Sequence, residues 1–347
     1  GGTPVRRIRT EDSVVGALAG HSRAARCSVP TTPFVLEPTA SITAKEEAVA
    51  DTLARPSFAP DRPVVVEAAA AAAPVAGGGA SVALGGAWVV AAHGGPVRVR
   101  RWAPEENAQP RSSPDVTVII PAYNEQARLA ATLAAAIRYL CAAPFTSCLM
   151  VVDDGSNDQT VPVAEMMLRH AHQGSLRTTT LVEHGKNRGK SVAVRNGLWL
   201  ASGAHRIVSD ADAATPLWEL DRLLAIAIER DAGLVVGSRD VTGGSAAWTL
   251  KRRLSHQLFR LWVRMNGLGA VKDSQCGFKL YRADLAGQLC RPGSGLSTTE
   301  GFEFDLEHIE LARKLGHRIE EVGVRWTDQP GSKVRLIRDA AAMFVGV

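Results

Sequence analysis

The sequence predicts an α/β fold in which a mostly parallel sheet carries helices on both faces. Short apolar runs recur between residues 116 and 208, and each is followed by a polar motif and then by a stretch with helical character. Continuous apolar strands are typical of parallel sheets that are covered on both faces. Their alternation with helices indicates repeated β-α-β units, which bind ligands at the carboxyl ends of their strands.

Four strands and three helices are predicted in chain order. The strands are Val116–Ile120, Cys148–Val152, Thr179–Glu183 and a fourth that ends near Val208. The helices between them are expected at about 125–140, 160–172 and 190–201. Each strand is followed by polar residues, so the sequence predicts a single cluster of polar side chains at one edge of the sheet.

The most informative polar motif is the pair Asp210 and Asp212 at the end of the fourth predicted strand. Within a strand, residues two apart point to the same face. Two hard carboxylate oxygens suit Mg²⁺ or Mn²⁺, and the cation would in turn hold a substrate diphosphate. An Asp-rich turn without metal is the alternative for this motif taken alone.

A basic turn with two glycines precedes the third predicted helix. Gly185 and Gly189 are separated by three residues, whereas a phosphate-binding loop of an NTPase needs four, and the turn follows the third strand instead of the first. We therefore exclude an NTPase. Lys190 and the helix amino terminus are expected near nucleotide phosphates, because exposed N–H groups and the helix dipole favour anions. A solvated basic turn is the alternative.

Composition limits the class of partner. The 347-residue chain has a formal net charge of +5, which suits phosphate-bearing substrates or an anionic membrane surface. Nucleic acid would be equally attracted, but no nucleic-acid-binding motif accompanies the charge, and we expect none as a partner. The five cysteines form no CxxC pair, which favours reduced thiols in a cytosol-facing domain.

The first third of the chain differs from the rest. Residues 1–113 are rich in Ala, Pro, Gly and Arg, and are predicted to be a low-complexity, disordered region that precedes a single catalytic domain at 114–347. Residues 68–93 lack charged side chains over a length that could span a bilayer. Because most of them are small, a linker is the preferred interpretation and a weak membrane anchor is the alternative.

The polar motifs also carry a family resemblance. PAYNE (121–125), VDDGSNDQT (152–160), NRGKSVAVRNG (187–197) and DADAAT (210–215), in this order, resemble those of inverting family 2 glycosyltransferases, which have the GT-A fold. DSQCGFKLY (273–281) and WTDQPGSK (326–333) resemble those of dolichyl-phosphate β-glucosyltransferases. The resemblance covers about residues 114–340. It implies transfer of glucose from UDP-glucose to dolichyl phosphate with inversion, for N-glycan precursor assembly, at the endoplasmic reticulum membrane with the catalytic domain facing the cytosol.

The resemblance also implies roles for individual residues. The nucleotide sugar would contact Pro121, Ala122, Tyr123, Glu125, Asp153, Lys190, Asp210, Ala211 and Asp212. Asp153 would bind the ring N–H of uracil, with Asp154 left as a turn or capping residue. The residues expected to act on the reacting groups are Asp273, Arg239, Arg253 and Lys333. Asp273 would orient the acceptor or act as a base, and Arg253 and Lys333 would meet phosphates.

The sequence leaves open the third metal ligand, the choice between related functions and the oligomeric state. Ala213 and Ala214 depart from the residues that follow the two aspartates in related enzymes, so the third ligand of the Mg²⁺ or Mn²⁺ ion is undefined. A dolichyl-phosphate mannose synthase-like enzyme or another polyprenyl-phosphate glycosyltransferase is one alternative. A catalytically silent nucleotide-binding protein is another. The oligomeric state is not predicted.

Overall fold

The computed structural model describes residues 81–84, 87–103, 114–171, 174–239, 245–247, 271–297, 299, 301, 304–327 and 329. Its strands are β1 (Ser81–Leu84), β2 (Ala87–Ala92), β3 (Gly95–Trp102), β4 (Val116–Ala122), β5 (Ser147–Asp153), β6 (Leu176–His184), β7 (His205–Val208), β8 (Leu234–Ser238), β9 (Ser245–Ala247), β10 (Lys279–Arg282), β11 (Ile319–Gly323) and β12 (Arg325–Thr327). Its helices are α1 (Leu129–Ala142), α2 (Thr160–Arg169), α3 (Lys190–Leu200), α4 (Leu220–Glu229), α5 (Ala283–Cys290) and α6 (Phe304–Lys314).

Ten of these strands form one mixed sheet, in the order β1-β2-β3-β6-β5-β4-β7-β10-β8-β11. The four central strands, β6, β5, β4 and β7, are parallel, and β10 runs antiparallel between β7 and β8. The remaining two, β9 and β12, pair in parallel as a small second sheet. The predicted α/β fold and its four parallel strands are confirmed.

The strand order places a topological switch point between β4 and β7. From β4 the chain moves to β5 and β6 on one side, and it then returns to β7 on the other side. The connections on the two sides diverge at this point, which opens a crevice at the carboxyl ends of β4 and β7. The motifs that begin at Pro121 and Asp210 therefore flank the same crevice.

Both faces of the sheet are buried under helices. Ile119 and Ile120 are neighbours in β4 and belong to different core clusters, and neither is more than 1% exposed. A strand with both faces covered reads as a continuous apolar run, as predicted here. The helical side chains in the two layers include Leu133, Leu168 and Leu223 in one and Val194, Leu285 and Ile309 in the other.

The helix α1 shows how the sequence specifies these layers. Leu129, Leu133, Ile137 and Leu140 recur at helical spacing and are all at most 3% exposed. Alanine occupies many of the positions between them, and it has the highest helix propensity of all residues. The apolar stripe packs on the sheet and brings the start of α1 to the end of β4.

Three strands precede the predicted start of the folded domain, which corrects that boundary. Residues 1–113 were expected to be disordered, yet β1, β2 and β3 lie within residues 81–102. β3 pairs antiparallel with β6, and its Val97 and Val99 are each 1% exposed. Alternating valines supply a buried face, and β3 covers an edge of β6 that would otherwise leave its N–H and C=O groups unpaired. The sheet therefore begins upstream of residue 114.

Residues 68–93, for which a weak membrane anchor is the alternative to a linker, are described only in part. Residues 68–80 lie outside the described residues, and most of the remainder forms β1 and β2, which pair as antiparallel strands. Among the helices described, none combines the length and the hydropathy that are needed to cross a bilayer.

A buried histidine lies where α6 packs on the sheet. His308 is 0% exposed, and its Nδ1 lies 3.2 Å from the Tyr281 hydroxyl, while its Nε2 lies 3.0 Å from Ser297 Oγ. Ser297 Oγ donates to Glu307 at 2.8 Å, so we assign His308 as the neutral tautomer that donates from Nε2. Burial lowers the pKa of His308 to about 3, although the charge of Glu307 opposes this.

This pKa predicts a loss of stability in acid. Below its ordinary pKa of 6.5, His308 is protonated in the unfolded chain but stays neutral in the folded one, so stability falls as the pH falls. The loss from this group is about 2 kcal/mol between about pH 7 and about pH 5. Urea unfolding of His308→Gln should show a lower stability at pH 7 and a shallower dependence on pH. The exposed His170→Gln serves as control and should keep the wild-type slope. An unchanged slope in His308→Gln would contradict the assignment.

Candidate active site

The candidate site begins where β4 and β5 end side by side. Ala122 and Asp153 are paired in the parallel register, and the N–H of Asp154 donates to the carbonyl of Ala122 at 2.8 Å. Pro121 and Ala122 are the last residues of β4, and Tyr123 follows with 37% of its surface exposed. The structure therefore brings the predicted base-binding segment and Asp153 together at the edge of the crevice.

Asp153 offers a buried hydrogen-bond acceptor. One carboxylate oxygen, Oδ2, accepts from the N–H groups of Gly155 at 3.1 Å and Ser156 at 3.0 Å. The other, Oδ1, is buried and has no hydrogen-bond partner among the described residues. Burial raises the pKa of Asp153, and hydrogen bonds from Ser156 act in the opposite direction. A buried oxygen without a donor is uncommon in folded proteins, which points to a donor supplied by a ligand.

Glu125 is held by a residue that the sequence analysis did not identify. Arg128 forms an ion pair with its carboxylate, with Nη2 at 2.9 Å from Oε1 and a second contact from Nε to Oε2. The N–H of Glu125 donates to Thr160 Oγ1 at 2.7 Å. A ligand hydroxyl near Glu125 would therefore share the carboxylate with Arg128. The spacing of three residues between the two charges was the signal available in the sequence.

Asp210 and Asp212 lie beyond a strand, which corrects the geometry expected for them. β7 ends at Val208, so the alternation of side chains along a strand does not apply to the two aspartates. Between them, the carbonyl of Ala211 accepts a hydrogen bond from Thr132 Oγ1 of α1 at 2.7 Å. The loop is thus attached to a helix, and its position depends on packing between α1 and the sheet.

The two aspartates have different partners. Asp210 Oδ1 lies 2.5 Å from Lys190 Nζ, whereas Asp212 Oδ1 accepts from the N–H of Ala214 at 3.0 Å. Burial and then the negative charge of Asp210 raise the pKa of Asp212. Burial alone would raise the pKa of Asp210 as well, but Lys190 outweighs it and lowers that pKa. The loop therefore carries one carboxylate that is paired with Lys190 and one, Asp212, that has no cationic hydrogen-bond partner among the described residues.

Gly277 lets the DSQCGFKLY segment touch Asp210. A Cβ atom added at this glycine would lie 2.1 Å from Asp210 Oδ2 and 2.6 Å from its Cγ. The backbone of residue 277 is therefore in direct contact with the carboxylate, and no larger residue fits without moving it. This approach is the structural reason for a glycine before Phe278 and Lys279, and it brings the DSQCGFKLY segment against the loop that carries Asp210.

Two further ion pairs surround the Lys190–Asp210 pair. Arg239 donates to both oxygens of Asp273, from Nε at 2.7 Å and from Nη2 at 2.8 Å, and Asp273 is 0% exposed. The Arg239 guanidinium also lies 5.4 Å from the centre of the Trp326 ring. This geometry favours a role for Asp273 in holding Arg239 over a role as a base, since a buried carboxylate bound at two points is poorly placed to accept a proton.

The second pair joins Lys279 to Asp305 at 2.7 Å, and both side chains are buried. Sequence reasoning gave neither residue a role, although Lys279 belongs to the DSQCGFKLY motif that carried the family resemblance. A cavity of about 10 Å³ lies between this pair and Lys190, and Gly277 also lines it. This volume is about that of one water molecule.

The turn before α3 is held by a carboxylate of the protein. The N–H groups of Arg188 and Gly189 donate to Asp154, at 3.0 Å to Oδ1 and 2.8 Å to Oδ2. These two donors are therefore not open to a phosphate, whereas the expected place of Lys190 near the nucleotide phosphates stays a prediction. Asp154 is a capping residue, as predicted, but for a helix that begins 36 residues later in the chain.

Two predicted site residues, Arg253 and Lys333, lie outside the described residues. Their proposed contacts with phosphate groups stay predictions.

Asp210 and Asp212 fit a divalent cation. They are two neighbouring carboxylates on one loop. Burial and then the negative charge of Asp210 raise the pKa of Asp212, and a bound cation would act against both effects. Within the described part of the chain, no group of three or more His, Cys, Asp or Glu side chains is arranged to hold a metal. Mg²⁺ is commonly held by one or two carboxylates together with substrate phosphates and water, so a third protein ligand is not needed.

Comparison with known proteins agrees with this arrangement. The model of the family described as glycosyl transferase family 2 matches residues 117–289. A dolichyl-phosphate β-glucosyltransferase of Dictyostelium discoideum is 34% identical over 240 residues, which cover 66% of this chain and 71% of the relative. The enzymes of the same name from Drosophila melanogaster and Homo sapiens are 35% and 31% identical, and each alignment covers 63% of this chain and 69% of the relative.

A crystal structure of glucosyl-3-phosphoglycerate synthase from Mycobacterium tuberculosis in complex with Mn²⁺ and UDP-glucose also matches, with a TM-score of 0.49 and 18% identity, over 67% of this chain and 77% of the other. The family predicted from the motifs is confirmed by the sequence relatives. The chain belongs to glycosyltransferase family 2, among the dolichyl-phosphate β-glucosyltransferases.

Proposed function

We propose that this chain transfers glucose from UDP-glucose to dolichyl phosphate and inverts the anomeric carbon, giving dolichyl β-D-glucosyl phosphate. The observation that carries the proposal is its membership of the dolichyl-phosphate β-glucosyltransferases. The product would serve N-glycan precursor assembly, and the chain would act at the endoplasmic reticulum membrane with its catalytic domain facing the cytosol.

The end of β5 supports a uridine donor. Asp153 presents a buried oxygen, Oδ1, that accepts no hydrogen bond from the described residues. The N3–H of uracil is a donor that would satisfy it, and Tyr123 is exposed beside the same edge of the sheet. Asp153 Oδ2 is held by its own turn, so only one orientation of the carboxylate is available. This site would select the base by a single directed hydrogen bond.

The loop after β7 supports binding of the diphosphate. Mg²⁺ or Mn²⁺ held by Asp210 and Asp212 would neutralise the charge that develops on the departing UDP. Lys190 lies against Asp210 and keeps its proton, because the attraction of Asp210 and Asp305 outweighs the effect of burial and raises the pKa of Lys190. The ammonium group is thus charged and positioned at the place where a diphosphate would bind beside Asp210.

The acceptor would supply its own nucleophile. A phosphate monoester has a second pKa of about 6, so its oxygen is already anionic near neutral pH. That oxygen would attack C1 of glucose from the face opposite the diphosphate, and the C1–O bond to UDP would break with its electron pair leaving on UDP. No proton needs to be removed, which agrees with an Asp273 that is engaged by Arg239. The protein's task is then positioning and charge neutralisation.

The metal assignment predicts the effect of Asp212→Asn. Losing one of the two carboxylate ligands should lower glucosyl transfer by about 10²-fold or more, since the metal stabilises the leaving diphosphate. Titration of Mn²⁺ followed by electron paramagnetic resonance should show weaker binding in the same variant. Asp231→Asn is the matched control, because Asp231 is a highly exposed aspartate that pairs with Arg282. Wild-type Mn²⁺ affinity and full transfer by Asp212→Asn would contradict the assignment.

The base assignment predicts a change of nucleotide preference in Asp153→Asn. The turn N–H groups need an acceptor, so the amide oxygen should face them and the NH₂ group should replace the free oxygen Oδ1. A donor would then meet the N3–H of uracil but would suit the N3 acceptor of cytosine. Calorimetry should show UDP binding weakened about 10- to 100-fold, the cost of a hydrogen bond to a charged group, while CDP binding improves relative to UDP. Wild-type protein that binds GDP more tightly than UDP would instead favour the mannose synthase-like alternative.

The acceptor assignment predicts which lipid is labelled. With Mg²⁺ or Mn²⁺ and radiolabelled UDP-glucose, the organic extract should contain label when dolichyl phosphate is added and not when free dolichol is added. Gly277→Ala should reduce this transfer strongly, because its Cβ atom would displace Asp210. Gly287→Ala is the matched control, since a Cβ at Gly287 meets nothing within 4 Å. Equal labelling of free dolichol would exclude a phosphate acceptor, and nucleotide binding without transfer to any acceptor would favour a catalytically silent protein.

A further inference from the structure

The second aspartate of the DDGS turn, Asp154, is hydrogen-bonded to two other segments of the chain. Asp154 is 3% exposed, and its Oδ1 accepts from the Arg188 N–H and lies 2.8 Å from Nδ1 of His184, while Oδ2 accepts from the Gly189 N–H. It thereby ties the end of β5 to the end of β6 and to the turn before α3. A buried carboxylate with three donors is strongly oriented.

The network continues from His184 into the protein. Asn196 Nδ2 lies 3.0 Å from His184 Nε2 and donates to the carbonyl of His93 at 3.2 Å, and Asn196 Oδ1 accepts from the His93 N–H at 2.8 Å. Because Asn196 uses its NH₂ group as the donor, His184 Nε2 is the acceptor and Nδ1 carries the proton. Asp154, His184 and Asn196 thus form one consistent chain of donors and acceptors, which ends at the turn between β2 and β3.

The packing of the two turns is equally specific. A Cβ atom at Gly155 would lie 2.3 Å from the carbonyl carbon of Lys186 and 2.5 Å from the nitrogen of Asn187. Gly155 also has φ of 70°, a conformation that favours glycine. The DDGS turn and the turn before α3 therefore contact each other through their backbones, directly beside the Asp154 carboxylate.

This arrangement determines where α3 begins, and therefore where Lys190 lies. Lys190 is the first residue of α3, and the two preceding N–H groups are the ones bound by Asp154. α3 has no capping side chain of its own, since Gly189 occupies the capping position. The carboxylate of Asp154 supplies the missing cap and interacts favourably with the positive end of the helix dipole. The ammonium group of Lys190 then reaches Asp210 at 2.5 Å.

From these contacts we infer that Asp154 is a positioning residue for Lys190, and that His184 and Asn196 keep its carboxylate in place. The inference rests on the proposed function in one respect, the role of Lys190 at the donor diphosphate. According to this inference, the amino end of α3, which favours anions, is occupied by the Asp154 carboxylate of the protein itself. The diphosphate would then be met by the Lys190 side chain and not by the backbone N–H groups before it.

A double-mutant cycle tests this inference. Lys190→Ala should lower kcat by about 10²-fold. Asp154→Asn should lower it by about 10-fold, as is typical for residues that orient a functional group. If Asp154 acts through Lys190, the double variant should be no slower than Lys190→Ala, whereas independent effects would multiply to about 10³-fold. The same cycle, measured by calorimetry with whichever of UDP and GDP the wild type binds, needs no transfer reaction.

The matched control is Asp158→Asn, because Asp158 accepts from the N–H of Thr160 at 2.9 Å and caps α2 from the same loop. The loss of kcat in Asp158→Asn should multiply with the loss in Lys190→Ala.

Should Asp154→Asn fail to fold, His184→Asn and His184→Gln replace it in the cycle. An Asn side chain can place its NH₂ group near the position of Nδ1 and keep the donor to Asp154, so it should be the milder change.

Multiplicative losses for Asp154→Asn with Lys190→Ala would overturn the inference, since they would show a general structural role. In the cycle that uses the His184 variants, equal losses of kcat for His184→Asn and His184→Gln would also overturn the inference. The proposed function fails separately, when wild-type protein transfers no glucose to dolichyl phosphate while the binding cycle still shows coupling. Wild-type protein that binds neither UDP nor GDP would overturn both.

Discussion

The candidate site depends on the buried carboxylate of Asp154. It accepts hydrogen bonds from three donors that come from two different segments, and it does so at the amino end of α3, where the helix dipole favours a negative charge. β5, β6 and α3 are adjacent in the sheet and its helical layer, but sheet packing alone leaves the loops between them undefined. This one group joins those loops and so determines the position from which Lys190 extends.

Around this point the site consists of alternating charges. Lys190 pairs with Asp210, Lys279 with Asp305 and Arg239 with Asp273, and four of these six side chains are nearly or wholly inaccessible to solvent. A buried charge is costly unless it is paired, so the pairs keep the site folded before substrate arrives. A metal ion and a diphosphate add one positive and one negative group to the Lys190–Asp210 pair, which can exchange partners without leaving a charge unpaired. The proposed transfer to an anionic phosphate acceptor is compatible with such a site because it needs cations more than a base.

Much of the central architecture could be predicted because its cause is local in sequence. The strands β4 and β5 read as continuous apolar runs, and α1 shows its apolar stripe through Leu133 and Ile137. The strands β1 to β3 were missed because residues 81–102 look like low-complexity sequence. They join the sheet only through the pairing of β3 with β6, to which β2 and then β1 are added. For Asp210 and Asp212, alternation along a strand predicted that the two carboxylates share a face. They instead lie on a loop after Val208, which a hydrogen bond from Thr132 attaches to α1.

The sequence by itself determined the fold class, the family and the order in which polar motifs meet the sheet edge, because these follow from apolar periodicity and from motifs that are contiguous in the chain. Tertiary structure decided which charges pair. Asp153 and Asp154 are adjacent and chemically identical. Among the residues that the structure describes, however, Asp153 Oδ1 has no hydrogen-bond donor, whereas both oxygens of Asp154 accept hydrogen bonds. Gly277 against Asp210 and Asp154 against Gly189 are contacts between residues far apart in sequence. Such contacts depend on how β5, β7 and α3 pack, and no local pattern of residues encodes that packing.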